Sequence, residues 1–394
     1  MRSISIFGAT GSIGESTFDL IRRAGGDEAF RTVALTGGRN IARLAEMARE
    51  LRADVAVTAH EDELPALRAA LAGSGVEAAA GAQAIADAAD RPADWTMSAI
   101  VGAAGLVPGL RALRHGRMLA LANKESLVTA GPLLMQTARD HGATILPVDS
   151  EHSAVFQALT GEDIRAVERV IITASGGPFR DWPLERLAQA TVREAVAHPN
   201  WSMGQRISID SASMFNKALE LIETREFFGF TPDRIEVLVH PQSIVHALVG
   251  FVDGGVMAHL GPPDMRHAIG FALHWPDRGH IPVARLDLAK LGQLTFQAPD
   301  PIRFPALRLA QDVMRTRGLS GAAFNAAKEI ALDHFIAGKL AFLDMAAVVE
   351  ATMDRLSGEI PAPVGIPDLD AVLQTDHLAR IRADEIARTR HRNS

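Results

Sequence analysis

Residues 3–14 read Ser3-Ile-Ser-Ile-Phe-Gly-Ala-Thr-Gly-Ser-Ile-Gly14, and this run decides the fold of the first part of the chain. A short β-rich segment enters a turn at Gly8, Gly11 and Gly14, and a helix-forming stretch follows. The spacing G-x-x-G-x-x-G is a variant of the dinucleotide fingerprint. Glycines permit the tight turn and let the backbone approach a pyrophosphate at a helix N-terminus. Thr10 and Ser12 add hydroxyl donors. The plain alternative is a glycine-rich turn of any α/β protein; the strand–turn–helix context favours nucleotide binding. Working outward, Thr32–Thr36, Asp54–Thr58, Trp95–Val101, Met118–Ala122 and Thr144–Val148 read as further strands. Helical stretches such as Ile41–Leu51 and Glu63–Leu71 lie between them, while the alanine-rich Glu77–Ala89 reads as helix former and loop. This alternation predicts βαβ units on a parallel, Rossmann-like sheet.

From Val167 the pattern changes. Val167–Ala174, Ile235–Val239, Ser243–Phe251 and Val256–Leu260 read as strands bounded by Gly and Pro, interrupted by one helix at Ala212–Phe228. Strands with segregated helices predict an α+β domain. Prolines then cluster from Pro262 to Pro305 and predict an extended connector. Ala322–Leu340, Phe342–Leu356 and the C-terminus have helical spacing. The expected division is 1–149 for dinucleotide binding, 150–278 as the α+β domain, 279–311 as connector and 312–394 as a helical domain.

Composition narrows the function. The 394 residues are 47% hydrophobic and 22% charged, which suits a globular protein with a sizeable core. The net charge of -7 argues against broad phosphate neutralisation on nucleic acid. With no cysteine, disulfides, thiolate nucleophiles and cysteine metal sites are excluded. Any metal must be held by oxygen or imidazole. No apolar run reaches the ~18 residues of a membrane span. The N-terminus enters the glycine loop without an apolar signal core, so a cytoplasmic enzyme is expected.

Several polar groups fall at element ends. The second strand is followed by Gly37-Gly38-Arg39-Asn40, with no acid to hold a ribose diol. Arg39 could fork onto a 2'-phosphate, which favours NADP over NAD; its plain alternative is a solvated surface charge. Asp149-Ser150-Glu151 closes the last strand of the first region. Two carboxylates sharing a face there need a cation or a proton, and a hard divalent ion such as Mg or Mn fits. A capping Asp before a helix-start Glu explains the same residues equally well. In the next region Ser213, Asn216, Lys217 and Glu220 fall within ~100° on one helix face. Met214, Ala218, Leu221 and Ile222 form the opposite stripe. A solvated polar face is the alternative, weakened by Ser208, Asp210 and Ser211 just upstream. Ser175-Gly-Gly-Pro-Phe179 suits phosphate on backbone N–H groups. His198-Pro-Asn-Trp-Ser-Met-Gly204 suits a lid, and Asn123-Lys-Glu-Ser126 places Lys124 past a strand end.

Together these segments resemble the 1-deoxy-D-xylulose 5-phosphate reductoisomerase family. Gly8–Gly14, Ala122–Ser126, Pro147–His152, Ser175–Phe179, His198–Gly204, Asp210–Glu220 and Asn325-Ala-Ala-Lys-Glu-Ile330 occur in the family's order. Ser213, Phe215 and Ala218 stand where the family often has Thr, Met and Gly, and Lys328 where Asn is frequent. The resemblance implies an NADPH-dependent, homodimeric enzyme that rearranges the sugar phosphate's skeleton and then reduces it. It implies a divalent cation (Mg, Mn or Co) on Asp149, Glu151 and Glu220. It implies substrate contacts from Lys124, Ser150, Glu151, Ser175, His198, Ser211, Asn216, Lys217 and Glu220, with Lys124 also in the catalytic set. Thr10, Gly11, Ser12, Ile13, Gly38, Arg39, Asn40, Asn123, Glu125 and Gly204 would contact NADPH. The competing readings are an NADP-dependent semialdehyde-type dehydrogenase, weakened by the absence of Cys, and a non-catalytic NADP-sensing module, which has no need of the three acids.

Overall fold

The computed structural model describes residues 1–201, 203–360 and 365–391. The chain forms two compact units: Met1–Ser126, Leu134–Ser153 and Asp264–Ala284 make the first, and Leu127–Leu133, Ala154–Pro263 and Arg285–Ser394 the second.

The first unit is built on seven strands: β1 (Arg2–Phe7), β2 (Phe30–Gly37), β3 (Val55–Thr58), β4 (Glu77–Ala80), β5 (Trp95–Ser98), β6 (Met118–Leu121) and β7 (Thr144–Pro147). Their order is β4-β3-β2-β1-β5-β6-β7, with every neighbouring pair parallel. The Rossmann-like expectation holds. β3 and β5 are buried at every position, as a sheet covered on both faces requires. The chain winds outward from β1 to β4, then returns to β5 beside β1. That reversal is a topological switch point, where open α/β sheets bind ligands beyond their strand ends. The glycine turn leaves the sheet there and opens the Ser12–Arg23 helix, which buries Phe18, Leu20 and Ile21.

Two expectations need correction in this region. Glu77–Ala89 is not helix and loop throughout: Glu77–Ala80 pairs with β3 as an edge strand, and the helix begins at Ala82. Backbone pairing overrides the weak strand preference of alanine. The proline-rich stretch is not extended throughout either. Arg266–His274 is a helix of the first unit, and Pro305 opens another helix, Pro305–Thr316, in the second. Proline at a helix's first position loses no hydrogen bond. The Trp95 indole N–H donates to the Ala272 carbonyl at 3.0 Å, which ties the Arg266–His274 helix to the sheet's own unit.

The second unit has a four-stranded sheet, β8 (Val167–Ala174), β9 (Ile235–Val239), β10 (Val245–Phe251) and β11 (Val256–Leu260), in the order β11-β10-β8-β9. β10 runs antiparallel to β8 and β11, while β9 is parallel to β8. Helices Ser320–Ile336, Asp344–Leu356 and Leu369–His391 complete the unit's C-terminal part. One apolar core joins Val170 and Ile172 of the sheet to Leu219, Ile222, Phe324, Phe335 and Val348 of the helices.

The helix expected at Ala212–Phe228 is two helices. Gln205–Ala212 ends, Met214 takes φ 62°, and Phe215–Phe228 starts anew. Ser213 therefore does not lie on one continuous face with Asn216, Lys217 and Glu220, and Met214 is a cap rather than part of the stripe. Ser208, Asp210 and Ser211 lie on the first of these helices, not in a loop. Among the described residues no helix is long and apolar enough to cross a membrane.

Candidate active site

The glycine turn divides its three glycines by task. Gly8 has φ +91°, and a Cβ there would lie 2.5 Å from the Ala99 carbonyl oxygen. A Cβ on Gly14 would lie 2.2 Å from the Gly8 carbonyl oxygen, so helix and turn touch backbone to backbone. Gly11 differs. A Cβ there would make only one ordinary contact, 3.4 Å from the Gly8 oxygen. The fold needs glycine at 8 and 14; at 11 the space it leaves is available to a ligand. Gly11 also caps the Ser12–Arg23 helix, whose first-turn N–H groups (Ser12 and Ile13 among them) have no intrahelical acceptor. The Thr10 side chain packs on the end of β2, 3.1 Å from where a Gly37 Cβ would stand.

Beyond β2, Gly38 has open space around its Cα, and Asn40 caps the Ile41–Glu50 helix by accepting from the Arg43 N–H at 3.3 Å. Arg39 is exposed and paired through Nη1 with Asp62 at 3.0 Å and Glu63 at 3.2 Å. Both contacts use one nitrogen of the fork. Arg43 grips Glu15 through Nε and Nη2 at 2.8 and 2.7 Å, which joins the turn's helix to the one after β2.

The rim past β6 and β7 is a tight polar cluster within the first unit. Asn123 is buried and caps the Lys124–His141 helix, its Oδ1 accepting from the Ser126 N–H at 2.8 Å. Its amide donates to the Gly102 carbonyl at 2.9 Å and to Glu125 at 3.0 Å. Lys124 forms an ion pair with the buried Asp149. The Ser150 hydroxyl donates to Glu151 at 2.6 Å, and the Glu151 N–H faces an Asp149 oxygen at 3.4 Å. The capping geometry is thus present along with the two-carboxylate cluster. His152, fully buried, stands 3.9 Å from Asp149 and was not singled out by the sequence.

The second unit assembles the other candidates. Gly177, at φ +65°, brings the Ser175–Phe179 turn onto the end of the Gln205–Ala212 helix: a Cβ would meet the Ala212 Cα at 2.9 Å and the Ser211 carbonyl at 3.0 Å. The Ser175–Phe179 turn and Ser211, far apart in sequence, are therefore brought together through the backbone at Gly177. The His198 Nε2 lies 2.9 Å from the Ser175 hydroxyl, and its Nδ1 accepts from the N–H groups of Asn200 and Trp201 at 3.2 and 3.0 Å. Those donors place the ring proton on Nε2, and burial pushes the imidazole's pKa down to about 4, so the ring is neutral at ordinary pH. Asn200 donates to Ser243 at 3.0 Å. Of the loop expected at 198–204, Ser202 lies outside the described residues. Gly204, the remaining NADPH candidate, caps the Gln205–Ala212 helix in this second unit.

The polar helix face is buried, not solvated. Lys217 and Glu220 are 3% and 1% exposed and form an ion pair, and Asn216 donates to the other Glu220 oxygen at 2.6 Å. The buried Lys217–Glu220 charges are held there by their own pairing. Sequence reasoning also missed a buried ion pair between Asp210 and Lys328. The signal was Lys328, the one charged residue in the first half of the Ser320–Ile336 helix.

Comparison with known proteins is consistent along the whole chain. Three family models match: 1-deoxy-D-xylulose 5-phosphate reductoisomerase over residues 4–131, its C-terminal domain over 145–228, and the DXP reductoisomerase C-terminal domain over 260–382. A 1-deoxy-D-xylulose 5-phosphate reductoisomerase of Cereibacter sphaeroides is 79% identical, covering 98% of each chain. One from Ruegeria pomeroyi is 70% identical over 98% of this chain and 97% of its own. Among solved structures, the Zymomonas mobilis enzyme in complex with NADPH aligns with TM-score 0.91 at 47% identity, covering 98% and 99% of the two chains. A DOX-P reductoisomerase in complex with NADPH, fosmidomycin and magnesium aligns at 0.93 with 40% identity, covering 98% of each.

Proposed function

Because the chain belongs to the 1-deoxy-D-xylulose 5-phosphate reductoisomerase family, it catalyses the metal- and NADPH-dependent conversion of that sugar phosphate, and we propose which of its residues do the work. The reaction isomerises and reduces 1-deoxy-D-xylulose 5-phosphate to 2-C-methyl-D-erythritol 4-phosphate in isoprenoid biosynthesis.

Asp149, Glu151 and Glu220 hold the divalent cation in this reading. Three carboxylates are hard oxygen donors suited to Mg or Mn, and they leave a site near neutral that still draws substrate oxygens. A bound cation supplies Lewis acidity toward the substrate's carbonyl and hydroxyl oxygens, and NADPH supplies the hydride. The protein's own side chains position. Ser150 fixes Glu151, and Asn216 and Lys217 fix Glu220. Lys124 offsets the charge of Asp149 and donates to a substrate hydroxyl. Ser175, Ser211, Asn216 and Lys217 hold the phosphate, and neutral His198 orients the Ser175 hydroxyl and joins it in contacting the substrate. Trp201 in the loop covers the substrate and excludes water.

Thr10, Gly11, Ser12 and Ile13 take the NADPH pyrophosphate at the helix start. Gly38, Arg39 and Asn40 take the adenosine ribose and its 2'-phosphate, while Asn123, Glu125 and Gly204 line the nicotinamide side. The fit of the pyrophosphate rests on Gly11, the one glycine of the three that the fold itself does not require.

We further propose that the segments 1–149, 150–278, 279–311 and 312–394 divide the functional roles along the chain, although Asp264–Ala284 packs with the first compact unit, and we propose a homodimer, a cytoplasmic location and no nucleic-acid partner. The net charge of -7 supports the last. The dimer is supported by β11, which among the described residues is an edge strand, with Val256 and Met257 exposed. The observation that carries the residue assignment is the packing of the Ser175 turn on Ser211, which makes one phosphate cradle from two distant motifs. The test is NADPH oxidation on addition of 1-deoxy-D-xylulose 5-phosphate, with and without chelator. Oxidation that needs both sugar phosphate and metal is expected; turnover indifferent to chelation contradicts the metal assignment.

A further inference from the structure

Asp210 sits one residue before Ser211 in the proposed phosphate cradle. Its carboxylate is buried and 2.9 Å from the ammonium of Lys328, also buried, on the Ser320–Ile336 helix. One turn earlier on the Gln205–Ala212 helix, Arg206 pairs with Asp333 of that same helix at 2.5 Å. Two ion pairs therefore seat one helix on the other. The helix end has little slack, because Gly177 also touches the Ala212 backbone. Immediately beyond, the chain turns at Met214 into the helix that carries Asn216 and Lys217.

A carboxylate beside a phosphate cradle opposes a dianion, and burial weakens the screening of that repulsion. Lys328 cancels it. We propose that Lys328 is a positioning and charge-setting residue for the substrate's phosphate, acting through Asp210. It keeps the Ser211 backbone in place and makes the base of the cradle neutral. Nothing in the metal or nicotinamide assignments uses this pair. The inference rests on the reading that Ser211, Asn216 and Lys217 hold the phosphate.

The charge role predicts opposite signs for the two halves of the pair. Lys328→Met leaves a negative charge behind the cradle. The inhibition constant of inorganic phosphate against the sugar phosphate should rise about tenfold, with KM, while kcat changes far less and NADPH affinity stays within about twofold. Asp210→Asn leaves the positive charge, so phosphate should inhibit as well as or better than in the parent enzyme. The double variant, Asp210→Asn with Lys328→Met, has no buried charge there. Its phosphate inhibition should return to within about threefold of the parent, which keeps the test available if Lys328→Met alone does not fold. A merely structural pair would weaken phosphate binding in both single variants alike, and that result overturns the proposal. Ser211→Ala is the control. If it weakens phosphate inhibition while Lys328→Met and Asp210→Asn do not change it, the inference fails and the cradle stands. If Ser211→Ala leaves phosphate inhibition unchanged, the cradle reading fails and takes this inference with it.

Discussion

The glycine turn and the Asp210–Glu220 stretch, the two proposed phosphate sites, are built in different ways. The turn at residues 8–14 works with backbone: glycines, helix N–H groups and close approaches, with no charged side chain among them. The Asp210–Glu220 stretch works with buried charge: Asp210 with Lys328, and Lys217 with Glu220, each ion pair almost wholly out of water. The first should tolerate changes of charge nearby and fail on added volume. The second should tolerate modest changes of volume and fail when one charge loses its partner, since a buried uncompensated ion costs several kcal/mol.

The largest effect is expected at the charged site. Glu220→Gln removes a proposed metal ligand and the partner of buried Lys217, so activity at ordinary metal concentration should fall by about a hundredfold or more, partly restored by excess metal. Full activity there would refute the assignment. At the backbone site, Gly14→Ala meets the Gly8 and Ala9 carbonyls at 2.2 and 2.3 Å and should cost about 1–3 kcal/mol in chemical denaturation. Gly11→Ala should leave stability within about 0.5 kcal/mol yet weaken NADPH about tenfold, measured by fluorescence titration. Loss of stability with intact NADPH affinity would reverse the division of labour between these glycines.

Smaller effects sharpen the contrast. Arg39→Ala breaks only exposed ion pairs, so the melting temperature should hold, while NADPH weakens by about tenfold and NADH hardly at all. Equal losses for both cofactors would remove Arg39 from 2'-phosphate recognition. The smallest effect is one of pH. His198, with a pKa of about 4, is neutral from pH 6 to 8, so the rise in KM caused by His198→Asn should be the same at both ends. Because burial depresses the folded value below the unfolded ~6.5, the neutral ring stabilises the fold above pH 6.5, and this contribution is lost as the pH falls toward 4. A KM effect that grows below pH 7 would show an imidazolium at work.

These two regions were not equally legible. The turn could be read because glycine spacing and the strand–helix switch are local, and Gly8, Gly11 and Gly14 carry their geometry in their identity. β4 escaped because Glu77–Ala80 gains strand structure only by pairing with β3, a contact that alanine does not announce. The break at Met214 escaped because methionine gives no sign of a left-handed residue. The burial of Lys217 and Glu220 escaped because charged residues on one helix face normally mean solvent, and their pairing is visible only once the core around Leu219 and Ile222 exists. Asp210 and Lys328 lie 118 positions apart, beyond the reach of any periodicity. The candidate residues themselves were readable from motif order, but their internal wiring, such as the approach of Gly177 to the Ser211 and Ala212 backbone, needed coordinates.

Asp149, Glu151 and Glu220 are the proposed ligands of one divalent cation. The most direct measurement is Mn(II) binding followed by electron paramagnetic resonance, in the parent enzyme and in Asp149→Asn, Glu151→Gln and Glu220→Gln. One site is expected in the parent, with a loss of affinity of about tenfold or more in each variant. A variant that binds Mn(II) as tightly as the parent, while folded, contradicts it.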